Sequence, residues 1–354
     1  MKLSLMSLGD LMTDPITGTQ MTSAERHRMM IDAAVIADKV GFHGINIGEH
    51  HGLDYAFSTP PVLLAAIAER TTRLKLSTAV ALAANLDPWR IAEDYATVDV
   101  ISGGRMELVT GRGNFFESTY TLFGQLPAES AARFAEGMEL LCKLWPGEPV
   151  HWTGNFRAPI NGEALQPKPI QSNRLPFWIG GGSSRDTAEL AGRLGLKLML
   201  PSAFGKPDKF IAVADIYREA YVKAGHSDQP EVGACWHGWV AATHEEAISR
   251  FQPRYQAYHQ FTQALIKRVN PNPPPYLTAP FDFDFLRKEG PAIVGSPEEF
   301  AERLQKLSDS FNADVNLVYM DMGGVPGSEF NDMIQMVGER VLPLLSDSRH
   351  AVAA

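Results

Sequence analysis

Cysteine is scarce: 354 residues carry two, Cys142 and Cys235. The two could pair, but such sparse sulfur reads as ordinary buried thiols in a cytoplasmic protein. Runs of Lys and Arg are missing as well. With 32 basic against 41 acidic residues the formal net charge is −9. Nucleic-acid binding needs clustered cations to neutralise phosphates, so that class of partner is excluded. No stretch approaches the roughly 18 uncharged apolar residues of a membrane helix, which excludes a membrane span. The N-terminus, MKLSLMSLGDLM, is interrupted at Gly9-Asp10 before it forms the apolar core of a signal peptide. Also missing are the lysine of a phosphate loop and a Gly-x-Gly-x-x-Gly in the first strand–helix unit. Nucleoside triphosphate and dinucleotide readings fail on that ground. What is present is 45% hydrophobic residues, enough for one large core, and residues 1–354 read as one domain with a frayed tail at 346–354.

Short β-rich runs alternate with longer amphipathic segments. Strands are expected at 3–8, 43–47, 74–82, 105–110, 176–180, 196–200, 231–242 and 315–320. Helices are expected near 23–40, 61–70, 88–101, 130–144, 187–194, 206–223, 244–260, 297–308 and 328–345. Thr22-Ser-Ala-Glu25 has the form of a capping box at the first helix. Two proline-rich excursions, 145–175 and 261–291, interrupt the rhythm. Strands alternating with helices imply a parallel sheet with right-handed crossovers. Eight such units favour closure into a (β/α)₈ TIM barrel with insertions, with a doubly wound open sheet as the alternative. A barrel would place its active site at the C-terminal ends of the strands.

Gly48-Glu-His-His-Gly52 falls at one such end. Strand alternation puts Asn46, Gly48 and His50 on one face and Ile45, Ile47 and Glu49 on the other. His50 then points to the barrel mouth, where an imidazole can exchange a proton near neutral pH. The plainer reading is a rim histidine bonded to backbone. A metal site is disfavoured: His50 and His51 diverge from a strand end, no His-x-His lies in the first strand, and no Cys joins them. Gly111-Arg-Gly113 follows the fourth strand, and the Arg112 guanidinium suits two phosphate oxygens at once. A salt bridge to another domain or subunit is the alternative there. The run Gly180-Gly-Gly-Ser-Ser184 before a helix start presents backbone N–H groups to an anion.

In order and spacing these motifs resemble the bacterial luciferase-like flavin-dependent monooxygenases. The matching pieces are Gly48-Glu-His-His, Arg70-Thr-Thr-Arg-Leu-Lys-Leu76, Ala92-Glu-Asp94, Ser102-Gly-Gly-Arg105 and Gly111-Arg-Gly113. Tyr120-x-x-Phe-Gly124, Pro167-Lys-Pro-Ile-Gln171, the Gly180–Ser184 turn and Val294-Gly-Ser-Pro-Glu298 extend the match over about residues 1–345. The resemblance implies a barrel that binds reduced FMN delivered by a separate flavin reductase. It implies O₂ addition at the flavin C4a carbon and oxygenation of a small, mainly apolar organic substrate, in a homodimer. The family's catalytic histidine falls on His50, flanked by Glu49 and His51. Its phosphate-holding residues fall on Arg112, Ser184 and Thr187, with Gly181, Gly182 and Ser183 in the same turn. A non-proline cis peptide under the flavin ring falls on Ala79-Val80. At Gly111 bacterial luciferase has a cysteine; glycine there implies more room over the ring and puts luminescence in doubt. A related branch uses deazaflavin F420 for hydride transfer and typically has Asp-His at the second strand, so Glu49-His50-His51 favours FMN. A catalytically silent flavin-binding barrel is the alternative from another class. The aromatic excursion Phe281, Phe283, Phe285 is suited to an apolar lid, with a surface insertion or dimer contact as the alternative. Trp236, His237 and Trp239 read mainly as core.

Overall fold

A computed structural model describes residues 1–113, 115–181, 184–270 and 279–345. The strands are β1 (Lys2–Ser7), β2 (Gly44–Ile47), β3 (Lys75–Thr78), β4 (Ala81–Leu82), β5 (Met106–Gly111) and β6 (Val150–Trp152). They continue with β7 (Ile160–Glu163), β8 (Phe177–Gly180), β9 (Lys197–Leu200), β10 (Val232–Val240), β11 (Ala292–Gly295) and β12 (Val315–Tyr319). Eight of these close a parallel ring in the order β1-β2-β3-β5-β8-β9-β10-β12 and back to β1. The chain is a (β/α)₈ TIM barrel. Every residue of β10 is buried, so its nine residues read as a continuous apolar run, as a strand covered on both faces should.

Helix starts follow the local chemistry. Thr22 caps Ser23–Val40 in a full capping box with Glu25, and Ser296 does the same with Glu299 for Pro297–Phe311. Each box satisfies N–H groups that the first helical turn leaves without a partner.

The sequence reading needs four corrections. The expected strand 74–82 is split into β3 and β4, with the cis Ala79-Val80 peptide between them. The excursion 145–175 contains an antiparallel hairpin, β6–β7. The helix expected to end near 260 runs on as His244–Val269. Finally, β11 was not foreseen; it lies outside the closed ring and pairs with the upper half of β10. Of the second excursion, residues 271–278 lie outside the described residues, as do 346–354 of the tail. Phe281 packs on Tyr255, and Phe283 packs on Phe251 and Phe281, so they belong to the packing of the long helix. Among the described residues no helix is long and apolar enough to cross a membrane.

Candidate active site

A cavity of about 490 Å³ opens at the C-terminal ends of the barrel strands, a volume in the range of small-molecule sites. Glu49 and His50 enter it from the end of β2, Ala79, Val80 and Leu82 from the β3–β4 junction, and Gly111 and Arg112 from β5. Gly180, Gly181, Ser184 and Thr187 follow β8. Nine of the residues that the resemblance placed at the site, and Gly180 beside them, therefore meet in one place. His51 does not line the cavity, and Gly182 and Ser183 lie outside the described residues.

His50 is stacked on Tyr55, with ring centroids 3.9 Å apart and planes at 13°, and meets Phe116 edge-on. Its backbone N–H donates to the Phe57 carbonyl, 2.9 Å, while the buried Nδ1 has no partner among the described residues. Burial, and secondarily the neighbouring His51, pushes its pKa down to about 3. That corrects the expectation of proton exchange near neutrality. The folded chain holds His50 as a neutral imidazole, with one N–H to donate and one nitrogen lone pair to accept. Glu49 is buried and positions its surroundings: Oε1 lies 2.8 Å from His51 Nε2, and Oε2 accepts from the Leu82 N–H at 3.0 Å. Beyond the end of a regular strand, alternation no longer decides which side chain faces inward. Among the described residues no three His, Cys, Asp or Glu side chains gather as a metal would require.

Another set of lining residues suits an anion. Arg112 makes no ion pair with a described residue, so the intrachain form of the salt-bridge alternative is not seen. Ser184 is the N-cap of helix Arg185–Arg193, yet its side chain makes no capping bond, leaving hydroxyl and first-turn N–H groups for a ligand. The Gly181 N–H is not among them, since it donates to the Met199 carbonyl at 3.0 Å. That narrows the expected anion cradle to the Ser184 end. Lys209 also lines the cavity; it is 25 residues past the turn, and no motif marked it.

Val80, immediately after the cis peptide, lines the cavity as well. A Cβ placed on Gly111 would lie 2.5 Å from Val80 Cγ2, and one on Gly180 would lie 2.7 Å from Val80 Cγ1. Both glycines are required by the valine side chain they receive. This corrects the view that Gly111 leaves added room, because Val80 already fills it. We expect Gly111→Ala to destabilise the fold by about 1–3 kcal/mol through overpacking, measured by urea denaturation. Adding Val80→Ala should recover most of the loss; a double variant no better than the single one would contradict this account.

The remaining wall is apolar and aromatic, with Tyr55, Phe115, Phe116, Phe204 and Tyr258. These lie far apart in sequence and carry no local signature. Cys235 lines the cavity too, its thiol pushed up to about 11 by burial. Trp236, His237 and Trp239 beside it are buried and do not line the cavity.

Barrel and cavity together define the class: a (β/α)₈ barrel with a small-molecule cavity at the C-terminal ends of its strands. The family model described as luciferase-like monooxygenase matches residues 1–312, and the chain belongs to that family. The oxygenase component of the flavin-dependent trigonelline monooxygenase of Acinetobacter baylyi is 24% identical over 93% of both chains. Among solved structures, monooxygenase RslO1 from Streptomyces bottropensis superposes with a TM-score of 0.83 at 25% identity, covering 97% of this chain and 99% of that one. The oxygenating constituent of 3,6-diketocamphane monooxygenase from Pseudomonas putida, in complex with FMN, has a TM-score of 0.74 at 19% identity, covering 98% and 99%. An F420-dependent secondary alcohol dehydrogenase shares the barrel at 17% identity and a TM-score of 0.71, covering 98% and 99%. The last two likenesses concern the fold alone.

Proposed function

We propose that this chain is the oxygenase of a two-component flavin monooxygenase. It would take reduced FMN from a separate reductase, use O₂, and oxygenate a small, mainly apolar organic substrate. The observation that carries the reading is the make-up of the cavity: one lining brings together a cation, a helix start, a neutral histidine among aromatic rings, and Val80 packed against Gly111 and Gly180. When bound, reduced FMN supplies the electrons that activate O₂. The residues present fit it. Arg112, Ser184 and Thr187 would hold the phosphate, Val80 would lie beneath the ring system, and His50 would offer a donor and an acceptor. The apolar wall excludes water, which such chemistry needs.

The direct test is anaerobic titration with reduced FMN, followed by admission of O₂ and measurement of its consumption. Tight FMN binding with O₂ uptake supports the reading; binding of F420 in preference to FMN overturns it. Arg112→Ala should weaken FMN binding about 10–100-fold, the worth of a charge-assisted bidentate contact. Riboflavin, which lacks the phosphate, should be almost unaffected. Equal losses for both ligands would remove Arg112 from the phosphate site.

A further inference from the structure

The inward face of β10 carries a polar group that the flavin reading does not use. Alternate residues of a strand face opposite ways. Trp236 packs on Phe311 of helix Pro297–Phe311, and a Cβ placed on Gly238 would meet Phe300 of the same helix. The even-numbered residues of β10 therefore face the surrounding helices. Cys235, of the other parity, lines the cavity, and His237 is the next residue along that inward face. It is 3% exposed. The rings of Phe204, Tyr255, Tyr258 and Tyr319 surround its imidazole, with centroids at 5.6, 4.9, 6.4 and 6.0 Å. Phe204 and Tyr258 themselves line the cavity, so a single layer of aromatic rings separates the imidazole from it.

Hydrogen-bond partners fix what this imidazole offers. Nδ1 lies 2.6 Å from Tyr255 Oη, and among the described residues that phenol has no other hydrogen-bond partner. Nε2 is buried with no partner among the described residues. Burial pushes the His237 pKa down to about 3, so the ring is neutral and carries one hydrogen. Were that hydrogen on Nδ1 and given to Tyr255, both the phenol hydrogen and the Nε2 lone pair would be stranded. With the phenol donating to Nδ1, only the Nε2–H is. Buried polar groups are satisfied wherever partners allow, so Tyr255 donates and Nε2 holds a hydrogen with no acceptor. Phe204, half-buried, sits in the segment 201–207 between β9 and helix Asp208–Lys223. Rotation of such a side chain is an ordinary motion.

We propose that His237 is a specificity-determining donor: with the Phe204 ring turned aside, its Nε2–H takes an uncharged acceptor oxygen of the substrate. Ring contacts run from His50 through Phe116 and Phe115 to Phe204. The apolar body of the substrate lies along that wall, with its acceptor at the His237 end. The substrate class is a small apolar or aromatic molecule with one acceptor oxygen, in preference to a hydrocarbon of the same shape. A charged group is disfavoured there, because aromatic rings do not replace the water it would lose. The inference rests on the oxygenase reading only in taking this cavity as the substrate site.

The test is equilibrium dialysis of the full chain against acetophenone and α-methylstyrene, which differ only in C=O against C=CH₂, with and without oxidised FMN. An apolar wall alone favours the hydrocarbon, since the carbonyl gives up its bonds to water. The readout is therefore the ratio of the two affinities. His237→Phe keeps a ring and removes the donor, and should shift the ratio toward α-methylstyrene by about tenfold, the scale of a hydrogen bond to a donor otherwise left unmet. A purely structural role for His237 would weaken both ligands together and leave the ratio unchanged. The unaltered chain gives a second readout, by NMR of ¹⁵N-labelled histidine. His237 should carry its hydrogen on Nε2, and that signal should move with acetophenone and stay in place with α-methylstyrene. An unchanged ratio in His237→Phe, a hydrogen on Nδ1, or an Nε2 signal indifferent to acetophenone overturns the inference. FMN titration of the same samples separates the two proposals. The ratio shift without FMN binding upholds the donor and sinks the oxygenase reading, whereas FMN binding without the shift does the reverse.

Discussion

Replacing His50 with alanine is expected to lower product formation by about 10²–10⁴-fold, the usual scale for a positioned proton-handling group, while FMN affinity stays within a few-fold. The separation is expected because His50, packed among aromatic rings, is not one of the residues proposed to hold the phosphate. O₂ consumption should continue and be diverted to hydrogen peroxide. Because burial holds the imidazole neutral, its value lies in one N–H and one lone pair at fixed positions. His50→Gln, which keeps a neutral donor and acceptor, should then retain more coupling than His50→Ala. His51→Ala should cost stability through the lost contact with Glu49 and cost coupling less. Product and peroxide measured together, with chemically reduced FMN and a working substrate, decide the matter. Full coupling in His50→Ala, or loss confined to His51→Ala, would move the role elsewhere.

The same burial gives a dependence on pH. The His50 pKa falls from 6.5 to about 3 on folding, and that of His237 also falls to about 3. The unfolded chain therefore binds protons that the folded chain refuses. The stability these groups contribute is fully present above pH 6.5 and is lost as pH falls toward 3. His50→Ala should flatten the acid limb of the stability curve in that window, read from urea midpoints at successive pH values. An unchanged slope would show that His50 titrates normally in the folded chain.

How far the sequence reached follows from what each feature is made of. The closed ring was legible because parallel strands are runs of buried residues broken by amphipathic helices, a local pattern. His50 and Arg112 were legible because each sits on a short glycine-bounded segment at a strand end, where side chains have no packing duty. The extension of the long helix to Val269 is also written locally, in Tyr258, Phe261, Leu265 and Ile266, but the prolines that follow it break the periodicity that would mark its end. β11 has four residues, too few to show a period, and β6–β7 pairs exposed polar residues such as His151, Asn161 and Glu163. Least legible was the aromatic wall of Tyr55, Phe115, Phe116, Phe204 and Tyr258. Its members are brought together only by barrel closure, and no spacing within the chain foretells it.

Barrel closure is also where the largest stability effect is expected. Arg254, on the long helix, reaches Asp14 with two hydrogen bonds of 2.9 Å and Glu329 with one of 2.8 Å. Arg254 and Asp14 are almost wholly buried, and the guanidinium lies 4.9 Å from the Trp239 ring centre. The group ties the loop after β1 to the long helix and to helix Gly327–Met336, three elements that meet at the rim above the cavity. Burial alone would raise the Asp14 carboxyl, but hydrogen bonds from Arg254, Ile16 and Thr17 outweigh it and hold it below the usual 3.8. The stability this carboxylate contributes is therefore present above pH ~4 and is lost as pH falls through its lowered value. Arg254→Met keeps the apolar stem but strands a buried carboxylate, and should cost about 3–5 kcal/mol at neutral pH. Arg254→Met combined with Asp14→Asn removes the stranded charge, so the double variant should be more stable than Arg254→Met alone. Denaturant midpoints of the three proteins at pH 7 test this. A double variant weaker than the single by the full cost of Asp14→Asn would mean that the two residues do not act as a pair. The closure of the rim would then have to be explained by apolar packing around Trp239 instead.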